Sequence, residues 1–108
     1  MSFNLLVSDR FQKQAKRLIK KYPSLKKELV ELRNSLLENP TLGTPLGHDC
    51  YKIRLAVASK GKGKSRGARV ITYLQIVKKS IFLLSIYDKS EKENITDKEL
   101  QEILKSIE

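Results

Sequence analysis

Residues 51–89 read YKIRLAVASKGKGKSRGARVITYLQIVKKSIFLLSIYDK, and the fold is decided there. Tyr51 to Ala58 alternates. Tyr51, Ile53, Leu55 and Val57 share one face, and Lys52, Arg54 and Ala56 share the other, as on a half-buried strand. Ser59 to Gly67 is a loop of lysines and glycines. Ala68 to Val77 alternates again, with Arg69, Ile71 and Tyr73 opposite Val70, Thr72 and Leu74. Lys78-Lys79 is expected to turn the chain tightly, and Ser80 to open the next strand. Ile81 to Tyr87 is apolar throughout, the pattern of a strand covered on both faces. By strict alternation Ser85, Tyr87 and Lys89 fall on one side of it. The stretch therefore reads as a three-strand antiparallel meander.

Charge sets this meander apart. Between Cys50 and Tyr87 there is no Asp or Glu, while nine bases stand there: Lys52, Arg54, Lys60, Lys62, Lys64, Arg66, Arg69, Lys78 and Lys79. Such a surface suits a polyanion, of which nucleic acid is the commonest in a cell. The whole chain has 22 Lys and Arg against 12 Asp and Glu, a net charge of +10 and a pI near 9.8. Acids gather instead after Tyr87.

Upstream, Phe3 to Val7 reads as a strand. Ser8 is placed to cap a helix, with Asp9 near its positive end. Phe11, Ala15, Leu18, Ile19 and Tyr22 make one apolar face of a helix over 9–22, which Pro23 ends. Arg10, Lys13, Lys16, Arg17, Lys20 and Lys21 cover its remaining surface. A solvated face explains these charges as well as a nucleic-acid contact does. Ser24 is placed to cap a second helix with the stripe Leu25, Leu29, Leu32 and Leu36, widened by Val30 and Leu37. The pair predicts a helical hairpin. Pro40 to Asp49 (PTLGTPLGHD) reads as a loop. Downstream, Thr96-Asp97-Lys98-Glu99 is a capping box, and Leu100, Ile103, Leu104 and Ile107 form the buried stripe of a C-terminal helix.

The expected fold class is thus α+β: an N-terminal strand, a helical hairpin, a three-strand meander and a C-terminal helix, with the helices on one sheet face. The length of 108 residues fits one domain spanning 1–108. There is no signal-peptide pattern, no apolar run of the roughly 18 residues a membrane span needs, and a lone cysteine, so a cytoplasmic location is expected.

Several chemistries are poorly served. One His, one Cys and scattered acids give no metal-ligand spacing. His48 and Cys50 lack a third partner for nucleophilic catalysis. GKGKS joins two strands and does not fit GxxxxGK[ST], which argues against a nucleoside-triphosphate loop. What remains is Lys52, Arg54, Arg69, Tyr87 and Lys89 on neighbouring strands, with Lys60, Lys62, Lys64, Arg66, Lys78 and Lys79 as phosphate-backbone contacts. Clustered cations can drive RNA self-cleavage, in which one group takes the 2′-OH proton, others stabilise the pentacoordinate phosphate and one protonates the leaving 5′ oxygen. The same set can also simply bind phosphate.

CYKIRLA (residues 50–56), GARVITY (67–73) and IFLLSIYDKSEKENI (81–95) resemble the RelE/HigB family of toxins from type II toxin–antitoxin systems, within the RelE/ParE superfamily. The similarity covers nearly the whole chain. It implies a small α+β domain with a four-stranded sheet and an mRNA endonuclease (mRNA interferase) that inhibits translation in the ribosomal A site, without metal or other cofactor. It implies Lys52 and Arg54 as paired basic residues, with Lys52 as the better candidate base. Arg69 would stabilise the transition-state phosphate, and Lys89 would serve as acid or clamp. It also implies an acidic antitoxin that masks the basic face, and operator DNA bound only through that complex. Two positions depart from the family pattern. Ile95 stands where the family has a base-stacking tyrosine, with Tyr87 nearby as a substitute, and Arg66 stands where glycine is common. Two other readings stay open: a ParE-like protein inhibiting DNA gyrase, and a non-catalytic RNA-binding module, the latter weakened by the absence of Trp and the presence of only three Phe.

Overall fold

The computed structural model describes residues 3–60 and 67–107. Lys62, Lys64 and Arg66 lie outside the described residues. The elements run β1 (Asn4–Val7), α1 (Asp9–Lys21), α2 (Leu25–Glu38), β2 (Thr44–Gly47), β3 (Cys50–Leu55), β4 (Ala68–Gln75), β5 (Ser80–Asp88) and α3 (Asp97–Lys105). A short 3-10 turn, Ala58–Lys60, follows β3. The strands form one sheet in the order β1-β5-β4-β3-β2, with β1 parallel to β5 and the other pairs antiparallel.

Alternation along β3 and β4 holds as expected. Ile53, Val57, Val70 and Leu74 enter the core beneath the helical hairpin, together with Phe11, Ala15 and Leu18 of α1 and Leu25, Leu32 and Leu36 of α2. Val30 and Leu37 do not widen that stripe; they are 45% and 40% exposed. Ser8 caps α1 as expected, its hydroxyl accepting from the Phe11 N–H. Ser24 does not cap α2. It is already helical, and its Oγ accepts from the Ser59 N–H at 2.9 Å while the Ser59 Oγ accepts from the Ser24 N–H. That exchange pins the turn after β3 to the start of α2.

Three features differ from the sequence expectation. First, Thr44–Gly47 is an edge strand and not loop, so among the described residues the sheet has five strands and not four. His48 (φ 56°) and Asp49 (φ 60°) close the β2–β3 hairpin with two left-handed residues, the geometry of a type I′ turn. Second, the helices do not share one face. α3 packs on the side opposite the hairpin, burying Leu100 and Ile103 against Cys50, Ile71, Leu84 and Tyr87. Third, the pairing of β4 with β5 shifts between Ile71 and Thr72: Ile71 faces Ser85, but Thr72 faces Leu83, leaving Leu84 as an extra residue in β5. Alternation in β5 therefore breaks. Ile81 and Leu83 point toward the hairpin, whereas Tyr87 points toward α3. The turn expected at Lys78-Lys79 is a four-residue loop, Ile76 to Lys79, between the paired Gln75 and Ser80. The Lys79 N–H donates to the Ile76 carbonyl at 3.0 Å.

Gly43 leads into β2 with φ at +108°, and a Cβ there would stand 2.6 Å from the Lys52 carbonyl oxygen. Gly43→Ala should lower unfolding free energy by about 1–3 kcal/mol. Urea denaturation checks this; an unchanged midpoint would show that β2 gives way at no cost.

Candidate active site

The register of the sheet aligns the basic residues. Arg54 of β3 lies directly opposite Arg69 of β4, and Arg69 directly opposite Tyr87 of β5. Directly opposed residues share a face, with Cβ atoms about 5 Å apart. The Arg54–Arg69–Tyr87 row therefore crosses three strands on the α3 side of the sheet. Lys52 is two pairs further along, opposite Ile71, which points to the same side. Its ammonium reaches Asn94 Oδ1 at 3.5 Å. Lys89 follows β5 and donates to the Glu93 carbonyl at 3.4 Å, with the Glu93 carboxylate at 3.9 Å.

Burial grades across the row. Arg54 is exposed and Lys52 and Lys89 are half-buried, whereas Arg69 and Tyr87 are 4% and 7% exposed. Arg69 is thus the buried member of a cationic row whose more exposed members are Lys52, Arg54 and Lys89. Its Nη1 donates to the Ala68 carbonyl at 3.1 Å. Burial first, and the like charge of Arg54 second, lower the Arg69 pKa, with Tyr87 acting the other way. An arginine so placed remains charged at neutral pH.

Burial also pushes the Tyr87 phenol up, against the pull of Arg69. Tyr87 is consequently protonated at neutral pH, able to donate a hydrogen bond but not to act as a base. Its Oη is buried beneath the Ile95 backbone, whose N–H approaches without reaching hydrogen-bond geometry. Ile95 itself packs against the α3-side core. In this conformation Tyr87 is buried at the end of the row and does not present its ring as a stacking platform.

Segment 90–96, which covers Tyr87, is fixed by the start of α3. Thr96 and Glu99 form the expected capping box. The Lys92 ammonium, and after it the Thr96 N–H, hold the Glu99 carboxyl down to about 2.

Two groups of expected contacts lie elsewhere. Lys78 and Lys79 sit in the β4–β5 turn, separated from Arg69 by roughly 20 Å of strand. Lys60 does not extend toward solvent as a phosphate contact would. Its ammonium pairs with the Asp88 carboxylate, with side chains 9% and 1% exposed. It also stands 5.4 Å from the centre of the Tyr22 ring.

Asp88 was not singled out from the sequence. It accepts from Lys60, from the Tyr22 hydroxyl at 2.9 Å, and from the N–H and hydroxyl of Ser90 at 3.0 and 2.8 Å. Burial raises its pKa, but these donors together outweigh burial and hold the carboxyl well below the usual range. A hint was available: Asp88 is the first acid after the acid-free stretch and follows an apolar strand directly. Since the Lys89 N–H donates to the Gly67 carbonyl, residues 60 and 67, either side of the basic loop, are both tied to the end of β5.

Among the described residues, no group of three or more His, Cys, Asp or Glu could hold a metal ion. His48 Nε2 lies 3.3 Å from Asp97 Oδ1 on the surface. Cys50 is buried, which raises its thiol to about 12. Among the described residues, no helix is long and apolar enough to cross a membrane.

The chain matches the family model described as "RelE toxin of RelE / RelB toxin-antitoxin system" over residues 7–107. Among solved structures, it is similar to a doubly arginine-to-alanine-substituted E. coli toxin RelE in the free state: 27% identity, complete coverage of both chains and a TM-score of 0.61. It is also similar to the toxin in the intact E. coli RelBE toxin-antitoxin complex, at 29% identity over 80% of this chain and 95% of that one, with a TM-score of 0.54. The substituted toxin bound to an antitoxin RelBc peptide matches at 28% identity over 90% and 98% of the two chains, with a TM-score of 0.53. With the family pattern running through both hairpin helices, the cationic row and α3, this chain belongs to the RelE family of toxins of toxin–antitoxin systems.

Proposed function

We propose that this protein, as one domain over 1–108, is a ribosome-dependent mRNA endonuclease that works by phosphoryl transfer within the RNA. The observation that carries this reading is the cross-strand row Arg54–Arg69–Tyr87 with Lys52 and Lys89 beside it. The substrate's own 2′-OH is the nucleophile. As it attacks the scissile phosphate, Lys52 in its neutral form takes its proton. Arg54 and Arg69 neutralise the charge that builds on the non-bridging oxygens. The bond from phosphorus to the 5′ oxygen breaks, and Lys89 gives that oxygen a proton. The products are a 2′,3′-cyclic phosphate and a 5′-OH. Direct contact of Arg69 with phosphate requires the groups that bury it to move aside, because Arg69 is covered in this conformation.

A groove of about 660 Å³ opens between α2 and β3, where Lys52 and Arg54 share the lining with Glu28 and Glu31, so its charge is mixed and less suited to phosphate than the row itself. The ribosomal A site would supply the mRNA in an extended, cleavable form. An acidic antitoxin would mask the cationic face, as the complexes of the E. coli relatives with antitoxin suggest. Operator DNA would be met only through that complex, and the site of action would be the cytoplasm.

Mapping mRNA 5′ ends in a reconstituted translation reaction tests this reading. New ends within codons should form with the wild type and not with Lys52→Ala/Arg69→Ala. Intact mRNA with translation unimpaired would sink the reading and turn attention to gyrase.

A further inference from the structure

Tyr87 joins the cationic row only because β5 carries an extra residue; Arg54 and Arg69 are paired without it. A one-residue change of register moves every side chain of a strand to the other face. Ahead of the bulge, Ile81 and Leu83 point toward the helical hairpin; beyond it, Ile86 does so and Tyr87 turns to the α3 side. Without the extra residue at Leu84, Tyr87 would enter the hairpin core and Ile86 would face Arg69. Bulges beside active sites re-aim side chains in this way.

The bulge is gripped from one element. The Ser8 N–H donates to the Leu83 carbonyl at 3.1 Å, and the Ser8 hydroxyl donates to the Leu84 carbonyl at 3.0 Å. One turn into α1, Gln14 Oε1 accepts from the Ser85 hydroxyl and from the Ile86 N–H, both at 3.0 Å. Four consecutive residues of β5 are thereby tied to α1 and its cap. Gln14 also breaks a sequence rule. It lies among Phe11, Ala15 and Leu18 on the packed side of α1, where an apolar residue is expected, and it is half-buried.

We infer that Gln14 is a positioning residue for RNA cleavage: by gripping the β5 bulge at Ser85 and Ile86, it sets the register that places Tyr87 opposite Arg69 and brings Lys89 beside the row. The inference rests on the cleavage reading above. Gln14 touches no reacting atom and acts through β5. Its amide oxygen is the working group, so a carboxylate can replace it and a methyl group cannot.

The test compares wild type, Gln14→Leu, Gln14→Glu and Ser85→Ala in two measurements. The first is single-turnover cleavage on programmed ribosomes, separating the rate constant from half-saturation. Gln14→Leu should lose about a hundredfold in the rate constant, the scale of a misplaced reacting group, with half-saturation unchanged. Gln14→Glu should stay within about threefold of wild type, and Ser85→Ala should fall between. The second is the cross-strand nuclear Overhauser contact between Arg69 and the Tyr87 ring, read in the free protein. It should vanish or weaken in Gln14→Leu and persist in Gln14→Glu. A wild-type rate with an intact contact in Gln14→Leu would overturn the inference, as would equal losses in the Leu and Glu variants. Should Gln14→Leu not fold, an unchanged rate and contact in Ser85→Ala would overturn it equally. The contact needs no RNA, so it tests the grip on the bulge even if wild type cuts nothing; that outcome would count against the cleavage reading alone.

Discussion

Replacing Arg69 with glutamine is expected to lower the rate constant for mRNA cleavage by about a hundredfold or more, while the folded state persists. Two observations set this expectation. Arg69 is the central member of the row, flanked by Arg54 on one strand and Tyr87 on the next, so no neighbouring side chain can occupy its place. Its charge is also held against the tendency of burial and of Arg54 to disfavour it. Arg69→Gln keeps much of the volume, removes the charge and gives up a buried bond to the Ala68 carbonyl, so it should cost about 1–3 kcal/mol while the protein stays folded. Cleavage kinetics and thermal unfolding of the same preparation check both parts. A near-normal rate, or a rate loss matched by wholesale destabilisation, would reduce Arg69 to a structural residue.

The largest stability effect is expected at Lys60. Lys60→Met leaves the Asp88 carboxylate buried without its ammonium, and breaking such a pair from one side costs about 3–5 kcal/mol. Tyr22 and Ser90 still donate to Asp88 and soften the loss. The folded-state pKa of Asp88 is depressed, so the pair contributes stability above the unfolded carboxylate pKa, about 3.9. That contribution fades as pH falls below it toward the folded value. The difference between wild type and Lys60→Met should therefore be full at neutral pH and should shrink below about pH 4. Adding Asp88→Asn should recover part of the loss at neutral pH, because no buried charge is then left alone. Urea unfolding across pH checks this; a pH-independent difference would mean that the pair matters only through packing.

How far these features could be read from the chain depended on whether a pattern existed to be broken. On β3, Lys52 and Arg54 alternate with Tyr51, Ile53 and Leu55, so their shared face was legible, and the register then completed the row with Arg69. β5 has no polar alternation around Leu84, so nothing marks the bulge; Ser85 and Tyr87 lie beyond it and pair with Ile71 and Arg69, in line with the one side their alternation predicts. β2 was hidden by its own composition, since two prolines and two glycines in PTLGTPLGHD read as loop. Its turn uses His48-Asp49 in place of the Asn-Gly or Asp-Gly pairs that announce a type I′ hairpin. The α3 stripe showed that the helix is buried, but an apolar stripe carries no information about which sheet face it meets. Lys60 looked like one more loop lysine because its partner, Asp88, lies 28 residues further along the chain.

The central claim is that a metal-free cationic row cuts RNA by using the RNA's own 2′-OH. The most direct measurement is the chemistry of the cut ends formed by the purified protein on programmed ribosomes, read by mass spectrometry of the upstream fragment and by kinase labelling of the downstream one. The account predicts a 2′,3′-cyclic phosphate upstream and a 5′-OH downstream, both lost in Arg69→Gln. A 3′-OH paired with a 5′-phosphate, the signature of water attack, would contradict it.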